Sequence, residues 1–281
     1  MKKGILCGVF FSAIAAGGFT ADNRFTALSG GIVSGKIGGF EVYMLVENRG
    51  QGRPSILIGV DEVLQRRYIP RGSYESETNT FLIRGPDKTI VVDTGFGGAI
   101  FDSMKTLGVN PVDVDAVLIT HMHGDHIGGL QRDGKALFPK ATVYLARQEK
   151  EFWVDGNAGG PAAAALAPYG SRVETFLPGE LGAALRELLP GISPIAAFGH
   201  TPGHTVFLVE SGGQKLLIWG DLMHVQAIQF PRPDISVTYD TDPAAAAVIR
   251  RRILEYAAAN SIPVAGMHLV YPAIGAVRAD A

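Results

Sequence analysis

Cysteine is nearly absent from this sequence: Cys7 is the only one among 281 residues. A lone cysteine forms neither an internal disulfide nor a thiolate cluster, so a metal ion in this chain would need nitrogen and oxygen ligands. Such ligand sets are typical of hydrolytic metal sites, whereas structural zinc sites are rich in cysteine. The scarcity of cysteine therefore favours metal chemistry carried by histidine and carboxylate side chains.

An excess of charge of either sign is also absent, because 25 Lys and Arg residues stand against 27 Asp and Glu residues, a net charge of −2. Nucleic-acid binders carry a basic surface, so we expect no nucleic-acid partner. The chain is 47% hydrophobic and 19% charged, which is typical of a globular protein. Its length suits one large domain, which we predict over residues 22–281.

The sequence has no uninterrupted apolar run of about 20 residues, the length that a membrane span requires, so no stable membrane insertion is expected. Lys2 and Lys3 precede an apolar stretch over residues 4–19 that ends in small residues. This pattern over residues 1–21 is typical of a secretory signal peptide and predicts a periplasmic or secreted protein. The alternative is an apolar N-terminal segment that packs on the core of a cytoplasmic protein.

Histidine is scarce as well, yet three of the seven histidines fall within one stretch, HMHGDH at residues 121–126. Imidazole and carboxylate groups are the ligands of zinc and similar divalent ions. Packing gives a surface loop no reason to collect four such groups within six residues. Because a run over residues 114–119 that is apolar except for Asp115 comes directly before them, the pattern predicts a metal site at the end of a buried strand.

Hydrophobic patterning predicts an α/β chain whose strands deliver metal-binding residue types at their ends. Expected strands cover residues 80–83, 89–92, 116–119, 142–145, 206–210, 215–219 and 264–267. Expected helices cover residues 99–107, 147–153, 181–189 and 242–259, the last beginning with Asp242 as N-cap and Pro243. Residues 70–78 are expected to form a loop, and residues 155–170 either a mobile flap or an alanine-rich helix.

Three further candidate ligands, His200, Asp221 and His268, lie next to predicted strand ends and have glycine neighbours that permit close backbone approach. Together with the four groups of residues 121–126 they exceed what one ion can bind while leaving room for a substrate. Two neighbouring ions can share such a set and lower the pKa of water enough to give a hydroxide nucleophile near neutral pH.

The motif H-x-H-x-D-H, followed in order by GHTPGHT, GD and a late histidine, resembles the metallo-β-lactamase-fold hydrolase superfamily. Within that superfamily the chain resembles methyl parathion hydrolase and related lactonases, on EFW at 151–153 and on the stretches IAAFGHTPGHTVFLVESGGQKLLIWGDL and HLVYPAIGAVRA. The resemblance implies an α/β fold, the αββα sandwich of two mixed β-sheets flanked by helices. It also makes a homodimer an expected assembly.

The resemblance further implies two divalent metal ions, with Zn²⁺ favoured and Mn²⁺, Fe²⁺ or Co²⁺ as alternatives. It places on one ion His121, His123 and His200, and on the other Asp125, His126 and His268. Asp221 bridges the two ions, and Asp125 and Asp221 are the catalytic carboxylates. Asp93 and His204 are expected to support the ligands from behind. The residues expected to line the substrate pocket are Trp153, Phe96, Tyr271 and His224. The run Arg250, Arg251 and Arg252 is expected on a solvated helix face.

Several activities of the superfamily fit this sequence poorly. The main class of metallo-β-lactamases has a cysteine where this chain has Asp221, and nucleases of the superfamily need a basic surface. The remaining expectation is hydrolysis of a small neutral ester through a hydroxide shared by the two ions, with a lactonase or carboxylic esterase favoured. The alternatives are an organophosphate triester hydrolase and a non-catalytic binding member, although such members usually lose ligands and none is lost here.

Overall fold

The computed structural model describes residues 19–156 and 160–278. Most of the predicted signal peptide, with Cys7, lies outside the described residues, as do residues 157–159 of the expected flap or helix. Within the described part, no helix combines the length and apolar character that crossing a membrane requires.

The described chain contains strands that are mostly short, as in a sandwich with many turns. In chain order they are β1 (Phe19–Ala21), β2 (Phe25–Ala27), β3 (Ile32–Ile37), β4 (Phe40–Gly52), β5 (Leu57–Ile58), β6 (Tyr74–Arg84), β7 (Thr89–Val92), β8 (Ala116–Leu118), β9 (Gln131–Arg132), β10 (Lys135–Ala136), β11 (Thr142–Ala146), β12 (Val173–Phe176), β13 (Ile192–Ala196), β14 (Thr205–Ser211), β15 (Gln214–Ile218), β16 (Ser236–Val237), β17 (Val264–Ala265) and β18 (Ile274–Val277).

The helices lie between these strands. They are α1 (Glu62–Tyr68), α2 (Ala99–Thr106), α3 (Gly124–Ile127), α4 (Arg147–Glu149), α5 (Pro161–Leu166), α6 (Gln226–Gln229) and α7 (Pro243–Ala259), and α4 continues into a π-helical turn, Lys150–Asp155. α7 begins as predicted, since the side chain of Asp242 accepts a hydrogen bond from the Ala245 amide. Part of the alanine-rich segment is helical in α5.

Two large sheets form the sandwich. One has eight strands in the order β12-β11-β8-β7-β6-β4-β3-β2, and the other has six in the order β1-β18-β17-β15-β14-β13. Both are mixed, because β7, β8, β11 and β12 run parallel in the first sheet and β15 and β17 run parallel in the second, whereas β6–β7 and β14–β15, for example, are antiparallel. The predicted α/β sandwich of two mixed sheets is confirmed.

The eight-stranded sheet is apolar on both faces. Side chains alternate between the faces of a strand, so Val42 and Met44 of β4 enter the core shared with Phe207 of the other sheet. Leu45 enters a second cluster, which Ile100 of α2 helps to cover. A strand covered on both faces has a nearly continuous apolar sequence, which explains the unbroken runs that end at the candidate site.

Two predictions of secondary structure are wrong. Residues 181–189 form turns rather than a helix; their leucines pack against the central core individually, and Gly182 has a positive φ of 83°. Residues 74–78 belong to β6 rather than to a loop. There β6 pairs with β4 as far as Tyr74 and Gly52, beyond a register shift between Val46 and Asn48, so the two strands extend as an arm beside the candidate site.

Candidate metal centre

The candidate ligands come from loops at the carboxyl ends of strands. His121 and His123 follow β8, Asp125 and His126 lie on α3, and His200 follows β13. Asp221 follows β15 and His268 follows β17. The two sheets therefore bring together seven side chains that are up to 147 positions apart in the sequence, as the strand-end pattern predicted.

The first group contains His121, His123, His200 and Asp221. The Nε2 atom of His121 lies 3.0 Å from His123 Nδ1 and 3.2 Å from His200 Nε2, and His200 Nε2 lies 3.1 Å from His123 Nδ1. The Oδ2 atom of Asp221 lies 3.4 Å from His200 Nε2 and 3.7 Å from His121 Nε2. Three ring nitrogens and a carboxylate oxygen thus converge on one point.

The second group contains Asp125, His126 and His268 and shares Asp221 with the first. The Oδ1 atom of Asp221 lies 3.0 Å from His126 Nε2, and its Oδ2 atom lies 3.1 Å from His268 Nε2. Asp125 faces both rings, at 3.7 Å from His126 Nε2 and 3.4 Å from His268 Nε2. The Asp221 carboxylate therefore stands between the two groups, where a bridging ligand would lie.

Hydrogen bonds behind the rings determine which nitrogen faces the centre. The Nδ1 atoms of His126, His200 and His268 lie 2.6, 2.8 and 2.7 Å from Asp93, Asp240 and the Glu77 carbonyl. A carbonyl and an ionised carboxylate only accept hydrogen bonds, so each Nδ1 carries a hydrogen and each Nε2 is the atom left to offer its lone pair to a metal ion. This outer hydrogen bond is typical of histidines that bind metal ions.

The convergence of lone pairs fits a cation. Nitrogens about 3.3 Å apart are expected around a tetrahedral zinc ion with bonds of about 2.0–2.1 Å, close to the separations in the first group. The Nε2 atom of His126 and the Oδ1 atom of Asp221 are buried and have no aligned hydrogen-bond partner. Buried polar atoms normally have such a partner, and a shared divalent ion would supply it for both.

Burial and charged neighbours shift the pKa values of the candidate ligands in different directions. Burial lowers the pKa of His123 to about 4, with the neighbouring His200 adding to the effect. Burial also acts to lower the pKa of His268, but the carboxylates of Asp221 and Asp125 outweigh it and raise that pKa to about 10. The buried carboxylate of Asp221 and the partly exposed one of Asp125 thus create a cation-attracting field, which a bound metal ion would satisfy in place of a proton.

His204 packs against the rings of His121 and His200, but both of its ring nitrogens have backbone partners. Its Nδ1 atom lies 3.0 Å from the Ala197 carbonyl, and its Nε2 atom accepts the amide hydrogen of Asp221 at 3.0 Å. Burial lowers the pKa of His204 to about 3, so the ring is neutral and can accept this bond. It supports the backbone that carries Asp221.

Glu149, a fully buried carboxylate, is a site residue that the sequence patterns do not indicate. Its oxygens accept the amide hydrogens of Met122 at 2.9 Å and Gly203 at 2.7 Å, and burial raises its pKa. Glu149 thus ties the loop of His121 to the loop that follows His200. No spacing signal connects residue 149 with either loop, so sequence patterns could not reveal this role.

Asn79 and Asp240 were also missed. Asn79 is buried in β6, and its Nδ2 group donates to the carbonyls of Gly266, Met267 and Leu269, which surround His268. The amide of Asn79 donates to the Met267 carbonyl as well. Asn79 acts on the His268 loop, and Asp240 acts on His200. In both cases the partner lies far away in sequence, so hydrophobic patterning does not reveal it.

A cavity of about 540 Å³ opens beside the two groups. Candidate ligands on its wall are His123, Asp125, Asp221 and His268; the remaining side chains include Asn48, Arg53, Ile56, Tyr74, Ser76, Thr78, Phe96, His224 and Tyr239. The arm of β4 and β6 supplies most of its polar groups. The cavity is therefore more polar than the predicted wall of aromatic residues.

Of the four residues predicted for the substrate pocket, two line the cavity and two do not. Phe96 and His224 line the cavity, and His224 Nε2 lies 3.0 Å from Asp221 Oδ2. Trp153 stands edge-on to His123 with ring centroids 5.3 Å apart, and the Arg49 guanidinium lies over the ring of Tyr271. Neither Trp153 nor Tyr271 is part of the cavity wall.

Comparison with known proteins identifies the class of protein. The sequence profile of the Metallo-beta-lactamase superfamily matches residues 74–260. This match covers more than half of the chain and includes all the candidate ligands except His268, so the chain belongs to this superfamily.

Two solved structures superpose over nearly the whole chain. The hydrolase AbOPH of the beta-lactamase superfamily has a TM-score of 0.80 at 27% identity, covering 91% of this chain and 95% of that chain. AidC, a dizinc quorum-quenching lactonase, has a TM-score of 0.79 at 23% identity, covering 92% of this chain and 96% of that chain. At that identity, the likeness to AidC shows the shared fold.

Among curated proteins, the N-acyl homoserine lactonase AttM of Agrobacterium fabrum is 34% identical over 120 residues, which are 42% of this chain and 44% of AttM. The chain spans about half or less of the length of the first curated relatives that it matches.

Proposed function

We propose that this protein is a hydrolase that uses two divalent metal ions to cleave small neutral esters, with a lactone or a carboxylic ester as its substrate. The observation that carries the proposal is the shared Asp221 carboxylate, whose Oδ2 lies 3.4 Å from His200 Nε2 in the first group and whose Oδ1 lies 3.0 Å from His126 Nε2 in the second. The similarity to AttM, named as an N-acyl homoserine lactonase, supports the substrate class.

In this proposal His121, His123 and His200 hold one ion, and Asp125, His126 and His268 hold the other. Bound divalent ions supply a water molecule of lowered pKa and a Lewis acid for the ester carbonyl. The chain itself contributes the bridging Asp221 and the rings oriented by Asp93, Asp240 and the Glu77 carbonyl. Zn²⁺ suits this nitrogen and oxygen ligand set, as Mn²⁺, Fe²⁺ or Co²⁺ also does.

The cavity wall supports an ester that carries polar groups. Asn48, Ser76 and Thr78 offer amide and hydroxyl groups on the arm of β4 and β6, whereas Phe96 offers an apolar surface. A neutral substrate with hydrogen-bonding groups beside an apolar portion would use both. The leaving alkoxide needs a proton, and Asp125 and Tyr271 are the candidate side chains for its transfer. Asp125 lines the cavity and Tyr271 does not, so we assign the transfer to Asp125, whose ionised carboxylate would take the proton that the attacking water loses and pass it to the alkoxide.

A substrate panel tests the proposal. Protein stripped of metal and reconstituted with Zn²⁺ or Mn²⁺ is assayed on an acyl homoserine lactone, an aryl carboxylic ester and an aryl phosphate triester. We expect metal-dependent turnover that is fastest on the lactone or carboxylic ester and is abolished by Asp221→Asn. Turnover of the triester alone would favour the organophosphate alternative, and no metal-dependent turnover on any of the three would overturn the proposal.

A further inference from the structure

Arg250 is buried at the centre of α7, with 1% of its surface exposed. The sequence predicts that the run of three arginines lies on a solvated helix face, and for Arg250 this prediction is wrong. A helix turns by about 100° per residue, so consecutive arginines point in different directions, and Arg252 is the exposed one. Burial lowers the pKa of Arg250 to about 10, which leaves it positively charged at neutral pH.

The contacts of Arg250 lead towards the candidate metal centre. Its Nε donates to the Leu222 carbonyl at 2.5 Å, one residue after Asp221. Its Nη1 donates to the carbonyls of Pro233 at 3.0 Å and Ile235 at 2.7 Å. A buried guanidinium needs such partners, because an unpaired buried charge is strongly destabilising.

The remaining nitrogen of Arg250, Nη2, lies 3.6 Å from Asp240 Oδ2. The other oxygen of that carboxylate, Oδ1, lies 2.8 Å from His200 Nδ1, and Oδ2 also accepts the Val237 amide hydrogen. Arg250, Asp240 and His200 therefore form a buried chain that ends at a lone pair facing the first group.

The N-terminal end of α7 and the two residues before it hold the backbone of the His200 loop. The amides of Thr241 and Asp242 donate to the carbonyls of His200 and Gly199 at 3.0 and 2.8 Å. Gly199 has a φ of 136°, and a Cβ atom there would lie 2.2 Å from the Ala246 amide nitrogen. The loop is thus seated on the first turn of α7, and Arg250 lies one turn further along.

We infer that Arg250 is a positioning residue of the metal centre, which orients His200 through Asp240 and holds the Asp221 loop through the Leu222 carbonyl. The inference rests on the proposed function, because it concerns the binding of the two ions. It adds a residue outside every motif of the sequence, and it joins two ligands from different strand ends through one side chain.

The test measures metal affinity rather than turnover. Metal-free wild type and variants are titrated with Zn²⁺ against a competing chelator, and Co²⁺-loaded protein is examined by visible absorption, which reports the ligand geometry around the ion. In Arg250→Met we expect the affinity for one of the two ions to fall about 10- to 100-fold, the usual result when the support of a ligand is removed. Asp240→Asn should lower the affinity for the same ion, and Arg250→Lys should retain part of the affinity that Arg250→Met loses.

Two control variants on the same helix separate positioning from a general loss of stability. Arg252→Met removes an exposed arginine and should leave the affinity unchanged. Leu254→Ala opens the core under α7 at a fully buried residue, so it should lower the melting temperature while both ions still bind as in wild type. If Arg250→Met does not fold, Arg250→Lys and Asp240→Asn carry the same comparison.

Combining Arg250→Met with Asp240→Asn tests whether the two act as one chain. We expect the double variant to lose less affinity than the product of the two single losses, as is usual for coupled residues. Multiplicative losses, or a loss in the Arg250 variants no larger than in Leu254→Ala, would overturn the inference. A wild type that binds fewer than two ions would instead contradict the proposed function.

Discussion

The Oδ2 atom of Asp93 lies 2.6 Å from the Nδ1 atom of His126, and both side chains are fully buried. The same carboxylate accepts the hydroxyl hydrogen of Thr120 at 2.6 Å and the Thr120 amide hydrogen at 2.8 Å. Asp93 also has a positive φ of 55°, a conformation that is uncommon outside glycine and concentrates at functional sites. One side chain thus supports both ends of the loop over residues 121–126.

Substituting Asp93→Asn tests this support. Asparagine keeps the shape and tolerates the positive φ, but its NH2 group must face a donor, either His126 or Thr120. We expect the affinity for one ion to fall about 10- to 100-fold, measured by chelator competition. Asp115→Asn is the control, since its carboxylate accepts the Thr89 amide hydrogen at the surface. Equal affinities in the two variants would contradict the role of Asp93.

Substitutions at Asp221 and His204 distinguish a bridging ligand from a supporting residue. Asp221→Asn removes the charge shared by the two groups and should abolish turnover. His204→Ala leaves the buried amide of Asp221 without an acceptor, which should lower the free energy of unfolding by about 1–3 kcal/mol while most of the turnover is retained. Steady-state rates and urea unfolding measure the two effects. Equal loss of turnover in both variants would show that the ligand assignment is wrong.

Glu149→Gln tests the tie between the two histidine loops. One of the two amides that Glu149 accepts, from Met122 or Gly203, would face the NH2 group of glutamine. We expect the free energy of unfolding to fall by about 1–3 kcal/mol, as measured by urea denaturation. The control is Glu151→Gln, two residues further along and exposed. A Glu149 variant as stable as this control would contradict the role.

Gly199→Ala tests the seating of the His200 loop on α7. The added Cβ would lie 2.2 Å from the amide nitrogen of Ala246, which is backbone and cannot swing aside. We expect strong destabilisation and weaker metal binding, measured by thermal unfolding and chelator competition. At Gly212 the Cβ would meet only Gly38, at 3.6 Å, so Gly212→Ala should be much milder although its φ is also positive. Similar melting temperatures would contradict the packing argument.

Local patterns in the sequence predicted the elements that carry the site. The strand before residue 121 is apolar on both faces, and the residues that follow it gather four potential metal ligands within six positions. The same logic failed for residues 181–189, where leucines at helical spacing pack individually from turns. It failed for residues 74–78 because their pairing with β4 is a long-range contact, which polar composition does not reveal.

The supporting residues lay beyond prediction for a different reason. Arg250 contacts Leu222, Ile235 and Asp240, which lie 28, 15 and 10 positions away in the sequence, and its neighbours Arg251 and Arg252 look identical to it. Buried polar side chains acquire their partners only when distant loops assemble. The ligands could therefore be predicted from residue type and spacing, whereas the groups that orient them required the fold.

The number of metal ions bound per chain tests the central claim most directly. Metal-free protein is titrated with Zn²⁺ by calorimetry, and the metal content after desalting is measured by elemental analysis. The shared carboxylate of Asp221 between two converging groups predicts two ions per chain in wild type and fewer than two after Asp221→Asn. One ion or none in the folded wild-type protein would contradict the account.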